Sequence, residues 1–110
     1  MEADLAWFLL SIAGLLEIVW AFSMRQSEGF SRFWPSVITL GAMVVSFTLL
    51  SWSMRTLPLG TAYTVWTGIG AVGAFIVGIV FLGESANLMR ILAATLIVAG
   101  LALMKLSSPG

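Results

Sequence analysis

At 110 residues the chain has the length of a single domain, and 60% of its residues are apolar while only 9% are charged. Soluble domains hold about half apolar and about a quarter charged residues, so this composition excludes an ordinary water-soluble domain and indicates a protein surrounded by lipid. The five basic and five acidic residues cancel, which leaves no basic surface to neutralise phosphates and excludes nucleic acid as a partner. Without Cys or His, the chain lacks thiolate and imidazole chemistry. We therefore expect no enzyme, no catalytic residue, no metal site and no cofactor.

Charged residues divide the chain into four apolar stretches. The first three contain 20, 22 and 28 residues between flanking charges, interrupted only by Glu17, and the fourth contains 14. A membrane-spanning helix needs roughly 20 apolar residues, so the fourth is long enough only if Leu88 and Met89 join it while Arg90 and Lys105 extend to the two surfaces. We predict an all-α integral membrane protein with one transmembrane domain, residues 1–110. Its four predicted spans are roughly residues 5–24, 33–53, 58–82 and 88–105.

The distribution of Lys and Arg residues indicates on which side of the membrane the two termini lie. Four spans place both termini on one side, which carries Arg55 and Lys105, while Arg25, Arg32 and Arg90 lie on the other side. Because Lys and Arg set orientation, this near balance allows either orientation or both. We find no internal repeat, and four helices are too few to enclose a transport path. A transporter built from this chain would need a second, inverted copy to supply the missing half.

Glu17 is the only ionisable residue well inside a predicted span. It lies eight residues before Arg25, about 12 Å along a helix, which is too far for the carboxylate to reach the surface. An intramembrane carboxylate costs a few kcal/mol and usually lines a water-filled path or binds an ion. A single acid that binds either a proton or a cation, but not both, is the minimum apparatus of an antiporter. The alternative is a structural role, in which Glu17 forms a hydrogen bond between helices.

Several aromatic residues have a spacing that could place them near this acid. Trp20 follows Glu17 by three positions and Gly14 precedes it by three, so all three share one helical face, and Tyr63 and Trp66 have the same spacing on the third span. An indole face attracts cations, and a phenol can donate a hydrogen bond to a carboxylate. Each aromatic alone is explained by packing. Together they favour a cation site with aromatic walls.

Small and hydroxyl-bearing residues complete the predicted site. Ser46, midway through the second span, could orient the carboxylate, although a lone membrane Ser often bonds to its own helix backbone. Glycines of the third span permit close helix packing or a hinge for alternating access; they include Gly68, Gly70 and Gly73. Small residues of the fourth span indicate a packing face and a dimer seam; these are Ala93, Ala94, Ala99, Gly100 and Ala102.

From Trp7 to Leu106 the chain resembles the small multidrug resistance transporters, four-span proteins that assemble as antiparallel, dual-topology dimers. The resemblance rests on four stretches. They are Ala13-Gly14-Leu15-Leu16-Glu17-Ile18-Val19-Trp20, Glu28-Gly29-Phe30-Ser31-Arg32, Leu57-Pro58-Leu59-Gly60-Thr61-Ala62-Tyr63 and Val65-Trp66-Thr67-Gly68-Ile69-Gly70-Ala71-Val72-Gly73. The third-span run and Gly83-Glu84-Ser85-Ala86-Asn87 resemble the guanidinium exporter subtype. The fourth span differs from the family in having no Gly-x-x-x-Gly sequence, so its seam would rely on alanines.

The resemblance implies a function and a location. It implies a proton-coupled antiporter that exports guanidinium across a bacterial plasma membrane, with Glu17 binding either guanidinium or protons. Four further residues, by the same resemblance, line the site and brace the carboxylate: Trp20, Ser46, Tyr63 and Trp66. Its partners would be a small cation, protons, membrane lipid and a second subunit, either the same chain or a paired one. Two alternatives remain: a multidrug exporter of bulky aromatic cations, and a non-transporting membrane subunit with a structural Glu17.

Overall fold

The computed structural model describes residues 2–107, and four α-helices account for most of that range. Each helix is long and apolar enough to cross a bilayer, which confirms the prediction of an all-helical chain with four membrane-spanning segments. The helices are α1 (Ala3–Gln26), α2 (Phe33–Ser53), α3 (Leu59–Leu82) and α4 (Leu88–Ser107). The fourth helix has 20 residues, so it contains both Arg90 and Lys105 near its ends.

The helix ends have local causes in the sequence. Pro58, with extended backbone, immediately precedes α3, where a residue without a donor N–H costs nothing. Gly83 ends the same helix in a left-handed conformation with φ 67°, which favours a residue without a side chain. Asn87 caps α4, because its Oδ1 accepts a hydrogen bond of 2.9 Å from the backbone N–H of Arg90.

The connection between α1 and α2 is a tight reversal held by a buried serine. The hydroxyl of Ser27 donates to the carbonyl of Met24 at 2.6 Å and accepts from the N–H of Phe30 at 3.0 Å. Glu28, Gly29 and Phe30 all have positive φ, at 49°, 76° and 65°. This short left-handed segment reverses the chain, so that α2 packs along α1.

The core lies where α1, α2 and α3 meet. α1 packs against both α2 and α3 and is therefore the central helix. Apolar side chains fill the space between the three helices. The buried hydrophobic residues, including Leu57 from the connection between α2 and α3, are Ala6, Leu10, Ala13, Leu50, Leu57, Ala62, Val65 and Trp66. The smallest of them are alanines, and their short side chains allow the backbones to approach closely.

The fourth helix is peripheral. Its backbone packs only against α3, and none of its residues is buried. A side-chain contact also joins it to α1, because the Lys105 ammonium lies 4.6 Å from the centre of the Trp7 ring, within cation–π distance. The described chain measures 42 × 35 × 16 Å. It is a thin slab that exposes many large apolar side chains, as expected for surfaces that face lipid or another protein.

Candidate functional site

Glu17 projects from the middle of α1 towards α3, where it meets Gly70. A side-chain carbon at Gly70 would collide with Glu17 Oε1 and would lie only 2.8 Å from its Cγ. Gly70, which the sequence indicates only as one of the third-span glycines that permit close packing or a hinge, therefore contacts the acid directly in the structure. The lack of a side chain at Gly70 creates the space that the carboxylate occupies.

Two polar atoms in this region are buried without a partner. Among residues 2–107, neither Glu17 Oε1 nor Trp20 Nε1 has a hydrogen-bond partner. Buried polar atoms in proteins are nearly always satisfied, so the unpartnered carboxylate oxygen of Glu17 marks a candidate site for a group other than protein. An acceptor oxygen of this kind suits a proton or a cationic donor.

Ser46 connects all three core helices. Its hydroxyl donates a hydrogen bond of 2.7 Å to the carbonyl of Ala13 on α1 and accepts one of 3.0 Å from the indole N–H of Trp66 on α3. Ser46 is completely buried, and its acceptor is a neighbouring helix rather than its own. The structure therefore shows Ser46 bracing Trp66, and in this arrangement its only proton is already donated to Ala13.

The aromatic residues form a continuous series of ring contacts. The rings of Trp20 and Phe47 lie edge-to-face with centroids 6.2 Å apart, and Phe47 meets Trp66 in the same way at 5.6 Å. Tyr63 lies 5.7 Å from Trp66 and remains 53% exposed. These separations are typical of attractive aromatic pairs. We call Trp20, Phe47, Trp66 and Tyr63 the aromatic cluster.

The other predicted glycines are contact points between helices. A side-chain carbon at Gly14 would lie 2.8 Å from Ile69 on α3, and one at Gly68 would lie 2.5 Å from Leu101 on α4. A side-chain carbon at Gly73 would overlap the tip of Ile18. These three glycines bring α3 close to α1 and α4. Close packing is one of the two roles predicted for Gly68 and Gly73, whereas Gly14 was predicted only to share a helical face with Glu17.

The structure brings most of the predicted residues together, though not all through direct contacts. Ser46 forms a hydrogen bond with Trp66, and the ring of Tyr63 packs on Trp66. Trp20 is linked to Trp66 through the ring of Phe47. Glu17 instead occupies the space beside Gly70. Sequence reasoning missed Phe47 and the Ala13 carbonyl. An aromatic residue next to Ser46 in mid-span was a usable signal for Phe47, but a backbone carbonyl has no sequence signal.

Four spanning helices with one carboxylate in their interior define a multi-pass membrane protein with an intramembrane acid. The chain belongs to the small multidrug resistance family, because residues 5–97 match the family described as Small Multidrug Resistance protein. With four helices able to span the membrane and this family membership, it is a multi-pass protein of the bacterial inner membrane.

Several proteins that are similar to this chain are named guanidinium exporters. The chain is 61% identical over 104 residues to a guanidinium exporter of Escherichia coli strain K12, a match that covers 94% of this chain and 99% of that protein. It is 60% identical, with the same coverage, to guanidinium exporters of Citrobacter freundii and of Salmonella typhimurium strain LT2. These matches extend over nearly the whole length of the chain and of each relative.

Proposed function

We propose that this protein is a proton-coupled antiporter that exports guanidinium, with Glu17 binding either a proton or the substrate. The observation that carries the proposal is the carboxylate of Glu17, held in mid-span against Gly70 with Oε1 buried and unpartnered among the described residues. An acid inside a membrane is costly and is usually functional. The names of the relatives supply the substrate, guanidinium.

The chemistry of guanidinium suits the groups in this region. Guanidinium is planar and positively charged, and its N–H donors can bind a carboxylate in pairs. The indole of Trp20 offers a face that attracts cations. Ser46 donates its proton to Ala13 but retains acceptor capacity, so it could accept an N–H from the substrate. Tyr63 and Trp66 would complete the walls.

We further propose that the working unit is an antiparallel dimer of two copies of this chain. The described chain is only 16 Å thick, Tyr63 is half exposed, and no residue of α4 is buried. An inverted second copy would cover the open side of the aromatic cluster and supply the inverted repeat that alternating access requires. In the dimer the two Glu17 carboxyl groups would bind protons as a coupled pair.

Proton movement in liposomes that contain the purified protein tests this function. Guanidinium is added to one side and proton flux is recorded for the wild-type chain and for Glu17→Gln. Removing the carboxylate should leave the protein inserted, because Gln is close in size and less costly in lipid. We expect proton flux that requires both guanidinium and Glu17.

Other outcomes of the same experiment distinguish the alternatives. Flux with a bulky quaternary ammonium ion, but not with guanidinium, would assign the protein to multidrug export. Coupled exchange that persists in Glu17→Gln would refute the mechanism. No flux with either cation, together with weaker assembly of Glu17→Gln, would instead identify a non-transporting subunit in which Glu17 is a structural hydrogen-bonding residue.

A further inference from the structure

A cavity of about 210 Å³ lies between α1 and α3, towards the C-terminal ends of both helices. On α1 its lining extends from Ile18, the residue next to Glu17, to Arg25, about 10 Å along the helix. Glu84, which follows α3, lines the same cavity. Among the described residues, the lining includes none from α4 and none from the aromatic cluster. The cavity therefore joins the level of the intramembrane acid to the end of the two helices, apart from the α4 face.

The cavity continues the two helix faces that meet at the acid. On α1, Ala21 and Arg25 follow Glu17 at intervals of four residues, and on α3, Ala74 and Gly78 follow at the same interval after the glycine that Glu17 contacts. Residues four apart share one helical face. All four of these residues line the cavity. Because three of them have a small side chain or none, the space between α1 and α3 stays open along this face.

The carboxyl group of Glu84 is held at the outer end of this cavity by Gly78. Gly83 ends α3 in a left-handed conformation, and the backbone N–H of Glu84 then donates a hydrogen bond of 3.1 Å to the carbonyl of Gly78. A side-chain carbon at Gly78 would collide with Glu84 Oε1 and would lie 2.8 Å from its Cδ. Glu17 contacts Gly70 in the same way, eight residues earlier on α3, or about 12 Å along the helix. Two carboxyl groups therefore lie against glycines of one face of α3, at two depths.

Arg25 brings a guanidinium group to the cavity that Glu84 lines. Guanidinium binds a carboxylate through two parallel N–H···O bonds, so the end of the Arg25 side chain and the substrate proposed above present the same donors. The volume of the cavity is several times the roughly 30 Å³ of a water molecule, which is enough for a cation of four heavy atoms. A free guanidinium ion can therefore bind Glu84 in the way that Arg25 does.

We propose that Glu84 is an outer binding residue that receives guanidinium at the membrane surface, and that Arg25 competes with the substrate for it. This inference rests on the guanidinium exchange proposed above and adds a binding step before the cation reaches Glu17. A cation that binds Glu84 displaces the Arg25 side chain and then moves inward between α1 and α3. In an antiparallel dimer each side of the membrane would have one such outer site.

Guanidinium-driven proton flux in liposomes, measured over a range of guanidinium concentrations, tests the proposal. Glu84→Gln should raise the concentration that gives half-maximal flux about threefold, the size expected for one exposed ion pair, and leave the maximal flux unchanged. Arg25→Gln should lower that concentration by a similar factor, because the competing guanidinium group is gone. The opposite signs distinguish competition from a merely structural ion pair, whose loss would impair both variants alike.

Glu28→Gln and Arg32→Gln are the matched controls, because both residues are exposed charges between α1 and α2 and neither lines this cavity. Their half-maximal concentrations should equal that of the wild-type chain. Flux that requires Glu17 but has an unchanged half-maximal concentration in Glu84→Gln would overturn this inference and leave the proposed function standing. Shifts in the same direction in Glu84→Gln and Arg25→Gln would overturn it too. A wild-type chain without guanidinium-dependent flux would refute the proposed function, and this inference with it.

Discussion

At the residue scale, the position of the proposed ion-binding carboxylate depends on a residue without a side chain. Gly70 leaves a space on α3 that Glu17 fills from α1. Glycine lowers helix propensity by about 1 kcal/mol relative to alanine, so an alanine at this position would stabilise α3 on its own. Because the Glu17 carboxyl group fills the space beside Gly70, we expect the missing side chain to matter more for function than the lower helix propensity of glycine.

Gly70→Ala should impair exchange while the protein still inserts. The added methyl group would overlap the Glu17 carboxyl group, which must then rotate away from its place. We expect guanidinium to bind about tenfold more weakly, equivalent to roughly 1.4 kcal/mol, as measured by titration of guanidinium-dependent proton flux. The control is Gly60→Ala, in the first turn of α3, where a side-chain carbon meets nothing within 4 Å. Equal affinities in the two variants would contradict this account.

The hydrogen bond between Trp66 and Ser46 offers a second test at the residue scale. Ser46→Ala and Trp66→Phe each remove one partner of a buried bond of 3.0 Å, and Ser46→Ala also leaves the Ala13 carbonyl without its partner. Hydrogen bonds between membrane helices contribute about 0.6 kcal/mol on average. A double-mutant cycle on the free energy of unfolding should therefore give a coupling energy of about that size. Purely additive effects would show that the two residues act independently.

At the element scale, the contact between α1 and α3 sets how closely the helices around the site approach each other. Gly73 of α3 receives the tip of Ile18 of α1, one position beyond Glu17. Interiors are close-packed and respond to the addition of single methyl groups. Gly73 and Ile18 therefore fix the distance between α1 and α3 at a point next to Glu17.

Gly73→Ala should destabilise the protein, and Ile18→Ala should partly reverse the loss in the double variant. Overpacking typically costs about 1–3 kcal/mol, and removing the branched side chain clears the space that the new methyl group needs. Unfolding of the purified protein in detergent measures both effects. Gly41→Ala, also within a helix but with open space around it, is the control. A double variant no more stable than Gly73→Ala alone would argue against this contact.

Some of these elements follow from the sequence and others do not. The four helices were predictable because a bilayer demands long apolar segments, and Glu17 was predictable because acids inside such segments are rare. Phe47 had a local signal, as an aromatic residue next to Ser46, but its ring contacts did not, and the bond from Ser46 to the backbone carbonyl of Ala13 had no signal at all. Membrane helices are apolar on every side, so residue spacing does not tell which side faces a neighbour. Only the rotation of each helix in the structure reveals those contacts.

At the scale of the whole molecule, the near balance of basic residues allows both orientations, and the proposed antiparallel dimer predicts that copies of the chain insert both ways. The chain contains no cysteine, so a single Ser107→Cys variant allows labelling from one side alone. We expect a membrane-impermeant maleimide to label about half of the molecules in intact cells, since loop charges set orientation. Labelling of nearly all or nearly none would show a single orientation and contradict an antiparallel homodimer.

The separation of α4 from α1 and α2 has a consequence for how such a chain can change over generations. The residues of the site lie on α1, α2 and α3, whereas the backbone of α4 packs against α3 among the described residues, and its Lys105 also contacts Trp7 of α1. Substitutions on the outward side of α4 can therefore accumulate without altering what the other three helices bind. Proteins that descend from one gene could in this way come to pair with different partner subunits or adapt to different bilayers, while they still bind the same substrate.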